Sequence, residues 1–315
     1  MSIHVNADNF TRAETDRMFR DLQHKAGGVN RFVHNRTPAA IDDQTVIRLN
    51  RDTLYSFAVV DATAGATLTL PEHGDRYLSA MVLDQDHHVE AVFHDAGAYE
   101  LSAARLGSPH VVVAVRTLVD PGDADDLAAV HEIQDAVGLT AASAVAFDYP
   151  DYDTGSLDET RDALLALARN LTSFDRTFGT RDEVDPIRHL IGTAAGWGGL
   201  PTSEAVYVSE DPRLPVGRYE LTVGEVPVDG FWSISVYNAA GFFEPNDRDA
   251  YTVNSITGVR NPDGSTTVRF GDFPPGTPNA IPVTEGWNYL VRLYRPHPEV
   301  LDGSWTFPRL EASGS

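Results

Sequence analysis

Tyr77-Leu78-Ser79-Ala80-Met81-Val82-Leu83 runs directly into Asp84-Gln85-Asp86-His87-His88. The first run is apolar and strand-forming and the second is wholly polar or ionisable, so a buried strand is expected to end at a polar turn. The texture recurs on both sides. Leu54 to Val60, Ala66 to Leu70, Glu90 to Phe93 and His110 to Thr117 are short β-branched or aromatic runs separated by Gly, Pro, Asp and Ser. Short strands at this spacing predict a sandwich or barrel-like sheet.

Helical periodicity flanks this β region. Phe10, Met18, Phe19 and Leu22 place one helix between Asp8 and about Gln23, stopped by Gly27-Gly28. Beyond Pro121 the spacing becomes helical again, over Asp125 to Gln134, Leu157 to Phe174 and Pro186 to Ala195, with Pro186 at a tolerated first-turn position. Strand texture returns from Glu204, in Ala205 to Val208, Arg218 to Val223, Gly230 to Tyr237, Tyr251 to Ile256, Ser265 to Phe270 and Asn288 to Tyr294. Asn261-Pro262-Asp263-Gly264 marks a tight turn among them.

The expected fold is therefore mainly β with helices (α+β), with two antiparallel units of β-sandwich or jelly-roll type joined by a helical segment. Residues 1–28 form an N-terminal helical segment, 29–120 the first β-rich domain, 121–203 a helical connector and 204–315 the second β-rich domain.

Composition narrows the function. The 315 residues contain 46 acidic against 24 basic side chains, a formal net charge of −22, which opposes attraction to nucleic acid or to an anionic membrane. There is no cysteine, which removes disulfides, thiolate nucleophiles and cysteine-ligated metals. No apolar stretch reaches membrane-spanning or signal-peptide length, so a soluble, cytoplasmic protein is expected. Lys25 is the only lysine; the remaining cations are arginines, suited to carboxylate binding.

Two polar clusters could carry chemistry. Arg48, Asn50, Arg51, Asp52, Thr53 and Tyr55 enter the first strand, where Arg51 either positions an anion or locks the strand entrance through Asp52. In the second, His87 beside Asp86 has the residue types of a general base and its orienter. Because neighbours on a regular strand face opposite ways, that pair requires a bulge or a turn. His34, His87, His88, His94 and Glu90 could in principle converge as metal ligands, but their spacing matches no metal motif, and neither metal nor cofactor is expected. Ser233 lies inside a strand without a nucleophile elbow, and Gly196 to Gly199 lacks the spacing of a phosphate-binding loop.

Several stretches resemble one family. Ile47-Arg48-Leu49-Asn50-Arg51-Asp52-Thr53-Leu54-Tyr55 and Asp84-Gln85-Asp86-His87 resemble the signature of the domain of unknown function 1254. Val228-Asp229-Gly230-Phe231-Trp232-Ser233 and Trp287 to Pro296 resemble that of the domain of unknown function 1214. With His189 to Gly199 included, the resemblance spans roughly Val29 to Pro308, and it implies two β-rich domains with helices packed beside them. One segment departs from the pattern, reading Asn279-Ala280-Ile281-Pro282 where many relatives carry a tryptophan after the asparagine.

The leading expectation is a cofactor-independent acid/base enzyme, of hydrolase or lyase type, acting on a small polar or carboxylate-bearing molecule. His87 would be the base, Asp86 its orienter, Arg51 an anion ligand and Tyr55 a hydroxyl donor; His34, Asn50, Arg116 and Trp232 would contact substrate. His34, Arg51, Asp86, His87 and Arg116 are expected to meet at one cavity. The alternatives are a non-catalytic ligand-binding or assembly protein, in which the same groups cement the fold, and a mononuclear metalloenzyme. The partner is a small-molecule ligand, not nucleic acid or membrane, and a homo-oligomer is compatible with the sequence.

Overall fold

The computed structural model describes residues 2–44, 47–169, 171 and 173–310. By compactness the chain divides into two units, Met1–Thr37 with Thr53–Pro201, and Pro38–Asp52 with Thr202–Ser315. The fold is α+β, with most regular structure in four sheets.

The first unit opens with α1 (Phe10–Ala26), which stops at Gly27 in the left-handed region, φ 72°, where a residue without Cβ is least strained. The strands β1 (Val33–His34), β2 (Thr53–Asp61), β3 (Ala66–Leu70), β4 (Leu78–Leu83), β5 (Val89–Phe93) and β6 (Gly97–Leu101) follow, then the short α2 (Ala103–Leu106) and β7 (His110–Leu118). They continue into α3 (Ala124–Ala136), β8 (Gly138–Ala141), α4 (Thr154–Ala168) and α5 (Pro186–Gly196). An antiparallel five-stranded sheet has the order β1-β2-β7-β4-β5, and a second, three-stranded one the order β6-β3-β8.

All nine residues of β7 are buried, as its unbroken apolar run requires of a central strand. Val111, Val113 and Val115 pack with Leu68 and Leu70 of β3 and Leu101 of β6, so the two sheets close a shared core. Each fully buried valine there contributes roughly 1.5–3 kcal/mol. The alternate residues Val112 and Ala114 are buried too, on the opposite face. On the helical side, α1 packs on β2 and against α4 and α5.

Two details of this unit differ from the sequence reading. Gly138–Ala141, inside the stretch read as helical, is a strand that pairs with β3; four residues are too few to show a period of two. The helix α4 ends at Ala168, short of Phe174, and residues 170 and 172 of that stretch lie outside the described ones. The expected start at Pro186 holds, because the Asp185 side chain accepts from the backbone N–H groups of Ile187 and Arg188.

The second unit contains β9 (Ala205–Glu210), β10 (Tyr219–Val223), β11 (Trp232–Tyr237), β12 (Thr252–Asn254), β13 (Thr266–Phe270), β14 (Ala280–Ile281), β15 (Asn288–Tyr294) and α6 (Pro298–Leu301). One sheet has the order β12-β11-β15-β9 and is antiparallel throughout. The other runs β10-β13-β14, and its β13–β14 pairing is parallel, an exception to the expected antiparallel pairing. Trp232, Ile234, Val236, Val291 and Leu293 turn to the core, where they meet Val268 and Phe270. Asn261 to Gly264 is the expected turn, closed by the Gly264 N–H on the Asn261 carbonyl at 2.9 Å, with Gly264 at φ +86°.

The opposite face of the four-stranded sheet is polar. Arg292 on β15 is buried and donates to Ser235 Oγ and the Tyr237 hydroxyl, each at 2.8 Å, and to the carbonyls of Arg48 and Leu49 at 2.8 and 3.2 Å. Asp52 accepts from Thr252 Oγ1 and Asn254 Nδ2, each at 3.0 Å. The segment Pro38–Asp52 is thus fastened to this face by side chains binding its backbone and its carboxylate. No helix among the described residues is long and apolar enough to cross a membrane.

Candidate functional site

The polar run after β4 forms the β4–β5 turn. Asp84 builds it: its Oδ1 accepts from the backbone N–H groups of Asp86 at 2.9 Å and His88 at 2.7 Å. The Asp84 N–H meets the His88 carbonyl at 3.0 Å. A short carboxylate at the first position of a turn can do this, which is why Asp favours such sites. The ladder slips between Val82 and Leu83, and His87 takes φ 64°. The bulge and the left-handed residue remove strict alternation, so neighbouring side chains part company.

Asp86 turns outward. Its Oδ1 accepts from Arg12 Nε at 2.8 Å and Nη2 at 2.7 Å, and its Oδ2 lies 3.6 Å from Arg181 Nη2. Gln85 reaches α1 as well, donating to Asp16 Oδ1 at 3.1 Å, while Tyr152 donates to Asp16 Oδ2 at 2.9 Å. Burial pushes the Asp16 carboxyl up from its ordinary value, and the Gln85 and Tyr152 bonds pull against that rise.

His87 turns inward and is 1% exposed. Its Nε2 accepts the Gly198 N–H at 2.8 Å and its Nδ1 lies 3.0 Å from Thr193 Oγ1, which itself donates to the His189 carbonyl at 2.9 Å. A backbone N–H only donates, so the proton of the neutral ring sits on Nδ1 and both nitrogens are engaged. The ring stacks on Trp197 at 5.5 Å and meets the edge of Phe178 at 6.0 Å. Burial holds its pKa well below the usual histidine value, and the nearby His189 and His88 lower it further. Asp86 is therefore not the orienter of His87, because the turn sends the two side chains to different partners.

His88 is arranged differently. Its Nδ1 faces Asp84 Oδ2 at 3.3 Å, a long hydrogen bond, and its Nε2 is bonded to none of the described residues. The ring lies parallel to His189 with centroids 4.8 Å apart and planes 2° apart. His189 clamps the turn, its Nε2 being 2.9 Å from the Asp86 carbonyl and its Nδ1 3.1 Å from that of Thr177. Glu90, on the next strand, has its pKa raised by burial and then by Asp84, against the lowering effect of His88 and Arg181.

Arg116 meets the same residue as His87 on its other side, donating to the Gly198 carbonyl at 2.5 Å, and its guanidinium lies 5.3 Å from the Tyr55 ring centroid. Tyr55 pairs with Arg116 in register and stacks on Phe57. His87 and Arg116 thus converge, and Tyr55 stands beside Arg116. His34 does not join them: it lies on β1, bonded to Ser56 Oγ at 2.7 Å, with β2 and β7 between its strand and β4. Arg51 belongs to the second unit, where it donates to the Ala39 carbonyl and lies over the Tyr251 ring. Asn50 is in that unit too, donating to the Tyr294 hydroxyl at 3.0 Å. Trp232 packs in the second core against Phe307, a placement that gives it no part in the turn.

The sequence reading assigns no site role to Asp84, His189 or Thr193 and considers His88 only as a possible metal ligand. The signal for Asp84 and His88 was their Asp84-x-x-x-His88 spacing within a turn; His189 and Thr193 lie in the His189 to Gly199 stretch of the family resemblance, about 100 residues away. Ligand atoms of Asp84, Asp86 and His88 lie within 4.8 Å of one another, the spacing a cation would need. The donors are spent elsewhere, since Asp84 Oδ1 holds two backbone N–H groups and Asp86 faces two guanidiniums. Cationic neighbours of that kind oppose a divalent ion. Among the recesses of the surface, one in the second unit, lined by Tyr237, Asn246, Tyr251 and Pro282, has a volume of about 10 Å³, room for a single water.

Architecture and site together define a class: an α+β protein of two β-rich units, the first of which ties a turn rich in carboxylates and histidines to a helix. Residues 29–100 match the model described as "Protein of unknown function (DUF1254)" and residues 210–298 the one described as "Protein of unknown function (DUF1214)", and the chain belongs to the family that carries the two in tandem. No curated protein matches the chain. It is similar in structure to the VPA0106 protein of Vibrio parahaemolyticus, with 18% identity, a TM-score of 0.71 and 98% of each chain covered. An uncharacterised protein of Burkholderia cenocepacia is similar at 14% identity and a TM-score of 0.54, with 95% of this chain and 86% of that one covered. At these identities the likeness concerns the fold.

Proposed function

We propose that the first unit is a cofactor-independent acid/base centre of hydrolase or lyase type, in which His88, oriented by Asp84, exchanges a proton with a small carboxylate-bearing molecule. The observation that carries this reading is the asymmetry of the His88 ring. One nitrogen faces a carboxylate and the other has no bond to any described residue, the arrangement of a general base with its orienter. A long hydrogen bond in the free protein suits it, because such contacts shorten when substrate arrives. Arg181, whose side chain is 75% exposed and lies 3.6 Å from Asp86, is the cation placed to meet a carboxylate, and Glu90, with its raised pKa, is a second proton carrier beside it.

The test is a nuclear magnetic resonance titration of the imidazole nitrogens with acetate, succinate and malate. Perturbation of His88 Nε2 by at least one of them, abolished in His88→Gln with the fold intact, is the expected result. If none of the three shifts His88, or if Arg181→Ala leaves the shift unchanged, the reading fails.

A second reading, a non-catalytic protein in which the polar turn cements the fold, is favoured by His87, both of whose ring nitrogens are engaged. It predicts no response at His88 to any of the three acids.

A further inference from the structure

The segment that leaves α5 is held on both sides of Gly198. The Gly198 N–H donates to His87 Nε2 at 2.8 Å, and the Gly198 carbonyl accepts from Arg116 at 2.5 Å. Gly198 itself has φ +79°, a conformation that other residues adopt only under strain. Trp197 stacks flat on His87, 5.5 Å between centroids, and anchors at its far edge by donating to Thr15 Oγ1 at 3.2 Å. The His87 ring is thus the floor of a strap made of Trp197, Gly198 and Gly199.

We propose that His87 is an acid-sensitive latch: protonation of its Nε2 breaks the bond to the Gly198 N–H and releases the Trp197–Gly199 strap while the sheet core stays folded. A protonated Nε2 becomes a donor facing a donor, so the closed form has no place for the second proton. Nor can the ring flip to recover, since Nδ1 already donates into Thr193 Oγ1, whose own hydrogen goes to the His189 carbonyl. Arg116 still holds the Gly198 carbonyl, so the opening starts at the Gly198 N–H and the Trp197 ring and stays within the strap.

The charged and titratable groups around the ring act in the same direction or are engaged elsewhere. On its own turn stand His88, Asp84 and Asp86; α1 brings Arg12 and Asp16, β7 brings Arg116, α5 brings His189, and the loop before α5 brings Arg181. Asp84 is occupied by backbone N–H groups and His88, and Asp86 by Arg12 and Arg181. No carboxylate among the described residues bonds to the His87 ring. Burial, His189 and His88 each disfavour its protonation in the closed form.

The sign follows from linkage. The ring pKa is depressed in the closed form and returns to about 6.5 in the open one, so the closed form loses no stability above that pH. Below it, only the open form takes up the proton, and opening becomes about tenfold easier per pH unit. The latch goes beyond the acid/base reading and stands without it, although release of the strap would also loosen the turn that carries His88.

The experiment follows hydrogen exchange of the Gly198 amide between pH 8 and 5, corrected for intrinsic exchange, with circular dichroism as a monitor of the global fold. The expected result is about a tenfold loss of protection per unit below pH 6.5 with the dichroism unchanged. His87→Gln, whose side-chain oxygen can accept the Gly198 N–H but does not titrate, should flatten the profile. Should that variant fail to fold, the imidazole nitrogens of the wild type decide: His87 must take up its second proton in step with the loss of Gly198 protection. Protection that stays constant until the whole protein unfolds, or a pH dependence that survives in a folded His87→Gln, overturns the latch. The outcome is independent of the titration with acids, which reads His88.

Discussion

The polar face of the second unit's sheet and the β4–β5 turn of the first unit both bury ionisable groups, and they close their networks to different degrees. Around Arg292 both terminal nitrogens are spent on two hydroxyls and two carbonyls. Burial alone would lower its pKa, yet Tyr237, Tyr294 and Asp52 raise it above the ordinary arginine value, so it stays charged and fixed. In the turn, His87 is equally closed, but the adjacent His88 leaves one ring nitrogen open. The comparison teaches that burial of a polar group is uninformative by itself: its partners have to be followed atom by atom, since Asp52 Oδ2 and Ser233 Oγ in the second unit also lack a hydrogen-bond partner among the described residues.

The largest expected effect tests the closed side. Arg292→Met removes four hydrogen bonds, two of them to the carbonyls of residues 48 and 49, and takes this donor from the Arg48 carbonyl while Tyr237 still donates to that of Leu49; it should cost about 3–5 kcal/mol in urea denaturation. A cost below about 1 kcal/mol would show that the network is not what fastens that segment.

His87→Ala comes next. It strands the Gly198 N–H, takes the His87 donor from Thr193 Oγ1 and opens a cavity under Trp197, for an expected loss of about 3 kcal/mol. Were the thermal midpoint nearly unchanged and a ligand response abolished instead, the histidine that carries chemistry would be His87 and not His88.

At His88 the expected order of effects is reversed. His88→Gln loses one long bond at the edge of the turn and should change stability by less than about 1 kcal/mol, while removing any response to small carboxylates. Destabilisation on the scale of His87→Ala would move His88 to the structural side of the comparison.

The smallest change belongs to Arg12→Ala. The Arg12–Asp86 pair is 42% and 35% exposed on its two sides, and such pairs contribute roughly 0.2–1 kcal/mol. Double-mutant analysis with Asp86→Asn should return a coupling within that range and one that shrinks in high salt.

Much of the architecture was legible from short-range pattern. The valine run of β7, the alternation of Trp232, Ile234 and Val236, and the Asp185-Pro186 helix start each declare themselves within a few residues. The strand β8 did not, because four residues carry no period and only its ladder with β3 makes it a strand. The proposed site was legible only as a cluster. Its residue types were visible in Asp84 to His88, but assigning the pair to Asp86 and His87 assumed that neighbours along the chain would also be partners.

By itself, the sequence determined the family, the α+β class, the strand at Tyr77 to Leu83 and the polar turn after it, because these depend on periodicity, turn chemistry and motif within a short window. Only the tertiary structure decided which histidine is closed and which is open. Left-handed backbone at His87 and the slip at Val82 rotate the side chains of the turn. The partners that fill both His87 nitrogens arrive from more than 100 residues away, on α5 and the strap beyond it, whereas the bonded His88 nitrogen faces Asp84 of the same turn. Hydrogen-bond satisfaction is a property of the assembled surroundings, and no local stretch of chain encodes it alone.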